Sequence, residues 1–343
     1  MRIESEFRQN STVGVPLLRY AYVDAMLAQL KAANQPVAST AGSTRLPLLV
    51  DDPRTLVPKR PFFLFVEAAW NPEVALVGLD AGLCPATSGP ILDAAGAAGD
   101  TLFEGLRALL HRLQGEANEA PMGLEMRRHG AWLWHRGLEQ PRDGSRPGLS
   151  TLELLPCGVF LAMIWRYLGP HWQPRVIQTQ AWRNPAALHE RFPRTRFQVG
   201  QAQLGIWLSD QELLAQPRQR ASGSNGPAHH DVVPTDLVGG LKAVLDVNFQ
   251  SADSAPMTLG LAAELSRLSE RALQRRLAER GTSYREIYAQ AMSSSAKRSL
   301  AGDDKTIAEV AALHGYDASH FIRAFRQATG VTPGRYRQLC QGY

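Results

Sequence analysis

The 343 residues are 44% hydrophobic and 20% charged, an ordinary globular composition with enough apolar material for two cores and too much for a disordered chain. A net charge of +5 permits a polyanionic partner without requiring one. Cys84, Cys157 and Cys340 are far apart and form no CxxC pair, which excludes a disulfide framework and a cysteine zinc site and leads us to expect reduced thiols in a cytoplasmic protein.

Met1–Asn10 carries Arg2, Glu4, Glu6 and Arg8 with no apolar core, so no signal peptide is expected there. Leu17–Ala33 and Leu102–Leu113 have the spacing of amphipathic helices, and Thr151–Leu168 that of a more buried one. Gly130–His135, Arg175–Thr179, Phe197–Val199 and Gln203–Leu208 read as strands. The apolar run Gly158–Trp165 is too short to cross a bilayer and is followed by Arg166, so no membrane partner is expected. Helices and strands alternate with no glycine-rich nucleotide loop. The expectation is an α+β domain over residues 1–217 with no cofactor. All seven tryptophans fall in it; Trp132, Trp134 and Trp207 are candidates either for an effector pocket or for plain core packing. Cys157, in the context LPCGVF, has no neighbouring base and reads as a buried structural thiol.

Gln216–Pro234 (QPRQRASGSNGPAHHDVVP) is rich in Pro, Gly, Ser and Asn and breaks the apolar periodicity, which marks residues 218–235 as a linker. His229-His230-Asp231 within it is a weak metal pattern, and no metal is expected.

Residues 236–343 read as an all-α domain of about seven short helices, punctuated by Pro256, Gly281, Gly302, Gly315 and Gly330. Two stretches share one plan. In the first, Thr258 caps a helix to about Leu265, Ser266–Leu268 turns, and Ser269 caps a helix over Glu270–Glu279. Leu273 and Leu277 lie one turn apart and face inward, which leaves Arg271, Gln274 and Arg275 outward. Arg pairs bidentately with guanine and Gln with adenine, whereas a solvated helix face is the bland alternative. The small Ala262 and Ala263 allow a close helix crossing. In the second, Thr306 opens a helix whose Ile307, Val310 and Ala311 form its inner stripe, Gly315 supplies the turn, and a helix from about Ala318 to Thr329 turns Phe321 and Phe325 inward and Ser319, His320 and Arg323 outward. A connecting helix over Ser283–Leu300 would hold the two readers about one DNA turn, roughly 34 Å, apart. Residues 236–343 hold 14 Lys and Arg against 11 Asp and Glu, so DNA affinity would rest on locally placed cations.

Leu237–Arg337 resembles the DNA-binding domain of AraC/XylS-type regulators. The resemblance is carried by Leu259, Ala262, Ser269, Leu273, Leu277, Gly281, Ala296, Leu300, Ile307, Ala311, Gly315, Phe321, Arg323, Phe325, Gly330, Pro333 and Arg337, with GVTPGRYR (Gly330–Arg337) as the closing motif. It implies base-reading positions at Arg271, Gln274 and Arg275 and again at Ala318, Ser319 and Arg323. Met292 departs from the family, which has Arg there, and the turn GYDASHF (Gly315–Phe321) is one residue shorter than the common form, which leaves the second reader's register open. LFEGLRALLHRL (Leu102–Leu113), MRRHGAWLWHRG (Met126–Gly137), WQPRVIQTQAW (Trp172–Trp182) and FPRTRFQVGQAQLGIWLSDQELLAQP (Phe192–Pro217) resemble the arabinose-binding-type sensor domain of such regulators. That resemblance implies a small effector of unnamed chemistry and a homodimer. The expected protein is a non-enzymatic transcription regulator with two helix-turn-helix motifs. Its partners are double-stranded DNA, a small-molecule effector and, beyond these, RNA polymerase. The rival is an alkyl-transfer DNA-repair protein with the same reader, which would need a reactive cysteine.

Overall fold

The computed structural model describes residues 14–48, 50, 52–97, 99–118, 120–137, 147–180, 186–218, 233–250, 257–302 and 305–340. Residues 219–232 of the expected linker, with His229-His230-Asp231, lie outside the described residues. In chain order the elements begin with β1 (Leu17–Arg19), α1 (Tyr20–Ala32), α2 (Val37–Thr44), β2 (Leu56–Pro58), α3 (Lys59–Ala69), α4 (Val77–Leu83), α5 (Pro85–Gly96) and α6 (Leu102–Leu113). Then come β3 (Met122–Arg127), β4 (Gly130–His135), α7 (Pro147–Leu168), β5 (Val176–Gln178), α8 (Ala186–Arg191), β6 (Arg196–Gln198), β7 (Leu204–Ser209) and α9 (Asp210–Leu213). Seven helices close the described chain: α10 (Leu237–Gln250), α11 (Leu259–Leu265), α12 (Glu270–Ala278), α13 (Tyr284–Gly302), α14 (Ile307–Leu313), α15 (Ala318–Thr329) and α16 (Pro333–Cys340).

These elements form two compact units. The first is α+β. Its five-stranded sheet has the order β3-β4-β7-β5-β6, antiparallel except for the parallel pair β5-β6. Register decides which face is core. Leu124 pairs with Leu133, Leu133 with Ile206 and Ile206 with Ile177, and all four are buried. On the opposite face Trp132 pairs with Trp207, and their rings meet edge to face at 5.3 Å.

Behind the sheet, α7 is the central helix. Val159, Phe160, Leu161, Met163 and Ile164 are all at most 1% exposed, so the helix is covered on more than one side, by α3, α4, α5 and α6. Ser150–Leu168 has the length and apolarity to cross a membrane, a longer stretch than the run the sequence singled out, and here it is a core helix. Its tightest neighbour is α4, through glycine. A Cβ on Gly78 would lie 1.7 Å from the Thr151 carbonyl oxygen, and one on Gly158 2.3 Å from that of Leu79. No side chain larger than hydrogen fits between those backbones.

The expected boundaries shift in places. The first helix begins at Tyr20, not Leu17: Leu17–Arg19 is fully buried and extended, and Arg19 offers no side-chain cap. The central helix starts four residues earlier than expected, at Pro147, since proline suits a first helical turn.

The second unit is all helical apart from short strands. It is built on Pro234–Tyr343, with stretches inside Ser11–Leu17 and Pro47–Pro58 joining it. Val15 lies against Gly240 of α10, where an added Cβ would meet it at 3.1 Å, and α10 also packs on β2 and α13.

Candidate nucleic-acid interface

The chemistry of the second unit follows from how its short helices start and stop. Thr258 caps α11, its hydroxyl accepting the Leu261 N–H at 3.2 Å. The helix ends in a tight turn in which Ser266 Oγ donates to the Ala262 carbonyl at 2.7 Å and Leu268 N–H to Ala263 at 2.9 Å. Arg267, in this turn, takes φ +55°, a left-handed conformation uncommon for a side chain of its size. Ser269 then caps α12 by accepting from Ala272 N–H at 3.2 Å. On α12, Leu273 and Leu277 are completely buried, whereas Arg271, Gln274 and Arg275 are exposed. Arg275 reaches Glu279 only at 3.7 Å, with both side chains mostly in water, a pairing too weak to hold the guanidinium.

Gly281, at φ +69°, carries the chain into α13, where Ser283 and Glu286 cap each other's backbone at 2.8 and 3.3 Å. Nineteen residues long, α13 spans about 28 Å. Met292, at the position where the resembled family has Arg, is buried in this helix and offers no polar group.

The cap at Thr306 is also reciprocal. Thr306 Oγ1 accepts from Glu309 N–H at 3.2 Å, and the Glu309 carboxylate accepts from Thr306 N–H at 2.7 Å, which holds that carboxyl below the usual range. After α14, Gly315 turns the chain at φ +71°. Asp317, which the sequence reading passed over, caps α15 by accepting from His320 N–H at 2.9 Å, and its carboxylate also contacts His320 Nδ1. Those two contacts with His320 hold the Asp317 carboxyl below its ordinary range. The D-x-x-H spacing was the available signal. Phe321 and Phe325 are completely buried; Ser319, His320 and Arg323 are exposed, Ala318 and Ile307 half-buried. Arg337 of the closing motif donates to the Lys305 carbonyl, tying α16 to the start of α14.

The helices thus bring Ser269, Arg271, Gln274 and Arg275 together on one exposed side of α12, and Ser319, His320 and Arg323 on one exposed side of α15. Trp132, Trp134 and Trp207 do not line the cavity described in the first unit, which lies on the other side of the sheet and is lined by His135 of β4. Cys157 is buried, and burial with Glu153 nearby pushes its thiol up to about 12, opposite to the thiolate an alkyl acceptor needs. No cluster of three or more His, Cys, Asp or Glu side chains suited to a metal ion occurs among the described residues.

A capped helix, a tight turn and a second helix with a cationic outer row over a leucine core define a helix-turn-helix domain, a DNA-binding module. Residues 261–339 match the family model described as a helix-turn-helix domain. The chain is 32% identical over 109 residues to the transcriptional activator NphR of Rhodococcus sp, a match covering 32% of each protein, so it spans about a third of that relative. The crystal structure of the transcriptional regulator CdpR from Pseudomonas aeruginosa aligns with a TM-score of 0.39 at 20% identity, over 90% of this chain and 98% of that one. A DNA-binding transcriptional dual regulator from Escherichia coli K-12 aligns with a TM-score of 0.27 at 24% identity, over 30% of this chain and 94% of its own. Both superpositions are too loose to transfer geometry.

Proposed function

We propose that this protein is a cytoplasmic, sequence-specific DNA-binding transcription regulator. Its second unit carries two helix-turn-helix motifs, α11–α12 and α14–α15, and inserts α12 and α15 into successive major grooves on one side of the duplex. The reading rests above all on α12, where fully buried Leu273 and Leu277 turn Arg271, Gln274 and Arg275 outward with no strong ion pair to occupy them. Helix α13 sets the reader spacing; its length of about 28 Å is close to the roughly 34 Å of one DNA turn. The first unit binds a small effector and dimerises, so that two chains on an operator double the length of sequence read. Effector binding biases DNA affinity only if the two states of the regulator bind the effector unequally. RNA polymerase is a further partner for an activator. The protein acts by binding, not by chemistry on DNA.

Footprinting tests the reading. Arg275→Ala should cost about 1–3 kcal/mol at one base pair and relax preference there, and Arg323→Ala should do the same about one helical turn away. A lysine contact to phosphate would instead weaken all sequences alike. An unchanged footprint and affinity in both variants would refute the placement of these helices.

A further inference from the structure

The first unit holds a cavity of about 140 Å³ between α1, α3, α7 and the β3–β4 edge of the sheet. Its wall is largely apolar, with Phe62, Phe63, Leu113, Leu155 and Val159 prominent. A cavity of roughly 150 Å³ is large enough for a single benzene-sized ring. The volume suits one ring with a small substituent.

Polarity limits it further. The wall includes Lys59, Glu116, Glu153 and Arg136, two cations and two carboxylates, so it carries no net excess of either sign. Lys59 donates to the Asn118 carbonyl, Glu153 accepts from the Gln180 N–H at 2.6 Å, and Lys59, Glu116 and Glu153 all have further partners. Three of these four charges are already answered, and Arg136 is exposed to water and lies over the Trp134 ring, so stripping a charged ligand of its own water to enter is costly. Two buried atoms of the wall lack a hydrogen-bond partner, Tyr22 Oη and His135 Nδ1, and Tyr22 has the Glu116 carboxylate beside it. His135 is half-buried and lines the cavity, and its Nδ1 is buried with no hydrogen-bond partner. Burial, with Lys59 close by, lowers its pKa to about 3, so the ring is neutral and keeps one donor and one acceptor nitrogen. Pro156, also in the wall, lies inside α7. It has no N–H to give the Leu152 carbonyl, and both residues are in the wall. A group that both donates and accepts would suit this pair of sites.

We propose that this cavity is a ligand site for a compact, uncharged, single-ring molecule bearing a hydroxyl, with the ring among the phenylalanines and the hydroxyl on His135. This rests on, and gives chemistry to, the reading of the first unit as the effector-binding part.

Calorimetric titration of the full chain with benzyl alcohol, toluene and benzoate, without DNA, tests it. Benzyl alcohol should bind once per chain, roughly three- to tenfold tighter than toluene, the worth of one net hydrogen bond. Benzoate should bind more weakly than either. In His135→Phe the preference for the alcohol over toluene should vanish while toluene still binds, a readout that a merely structural role for His135 would not produce. In Ala117→Leu, which fills the cavity, both should weaken. The proposal is overturned if none of the three binds, if benzoate binds best, or if the alcohol's advantage survives in His135→Phe. Because DNA is absent, these outcomes leave DNA reading untouched. Binding that leaves operator affinity unchanged would instead refute effector control and keep the site.

Discussion

At the scale of single residues, the second unit contains a buried histidine whose protonation is tied to folding. His314 is 2% exposed between the rings of Phe249, at 4.8 Å, and Phe321, at 5.9 Å. Its Nδ1 lies 2.7 Å from the Val310 carbonyl, which accepts only, so Nδ1 carries the proton and the buried Nε2 has no partner. Burial, and secondarily Arg298, lowers its pKa below 6.5 against the opposing pull of the Val310 bond. In the unfolded chain the ring keeps its ordinary value. As the pH falls through about 6.5 the unfolded state takes up the proton first, so His314 favours folding fully above that pH and progressively less below it. The loss cannot exceed about 1.4 kcal/mol per pH unit. Urea melts followed by circular dichroism at about pH 7.5 and about pH 5.5 should therefore show a fall in stability that is smaller in His314→Asn than in the wild type. Equal falls would mean that His314 titrates alike in both states.

At the scale of elements, the helices of the reader are too short to persist alone. Helices α11 and α14 have seven residues each, about two turns, far below the length at which an isolated helix is stable in water. Their ends are secured by side chains three residues apart: Thr258, Ser269, Ser283, Thr306 and Asp317 each accept a backbone N–H at the start of a helix. Thr306→Ala should therefore cost about 1 kcal/mol of stability, with Thr306→Ser recovering most of it. A loss within a few tenths of a kcal/mol would show that packing of Val310 and Ala311 alone fixes α14. These caps explain why so much of this unit is legible in the sequence. A cap and its target are separated by three residues, and the inward Leu273–Leu277 and Phe321–Phe325 pairs by four, so the pattern is written locally. Asp317 follows Gly315, which marks the turn more conspicuously, yet the same three-residue rule points to it. The cavity in the first unit was not legible. His135, Lys59, Glu153 and Tyr22 come from four elements far apart in the chain, and no local spacing announces that they meet. The tryptophans suggested a pocket by residue type alone, and strand register turns Trp132 and Trp134 to the face opposite His135.

At the scale of the whole chain, the order of residues does not follow the order of the units. Residues 1–217 read as one N-terminal domain, because Val15 and Val57 carry no mark of what they will pack against. Both are completely buried, and both belong to the unit that carries the helix-turn-helix segment. Gly14 approaches Thr235 so closely that a Cβ would lie 2.7 Å from its carbonyl oxygen, which fixes the stretch before β1 against the start of α10. The reader is thus incomplete when cut from the chain at the linker. Burying a valine side chain contributes about 1.5–3 kcal/mol, so Val15→Ala should destabilise the second unit by about 2 kcal/mol. The effect can be read selectively, since all seven tryptophans lie between Lys59 and Val233 and report on the first unit only. On heating Val15→Ala, the loss of helical circular dichroism should gain an early phase while the tryptophan fluorescence transition stays where it is in the wild type. A fragment of residues 236–343 should melt earlier still and bind its operator more weakly than the full chain. If instead the variant shifts both signals together, Val15 supports the two units alike; if it shifts neither, and the fragment is as stable as the intact protein, the reader folds without its N-terminal stretches.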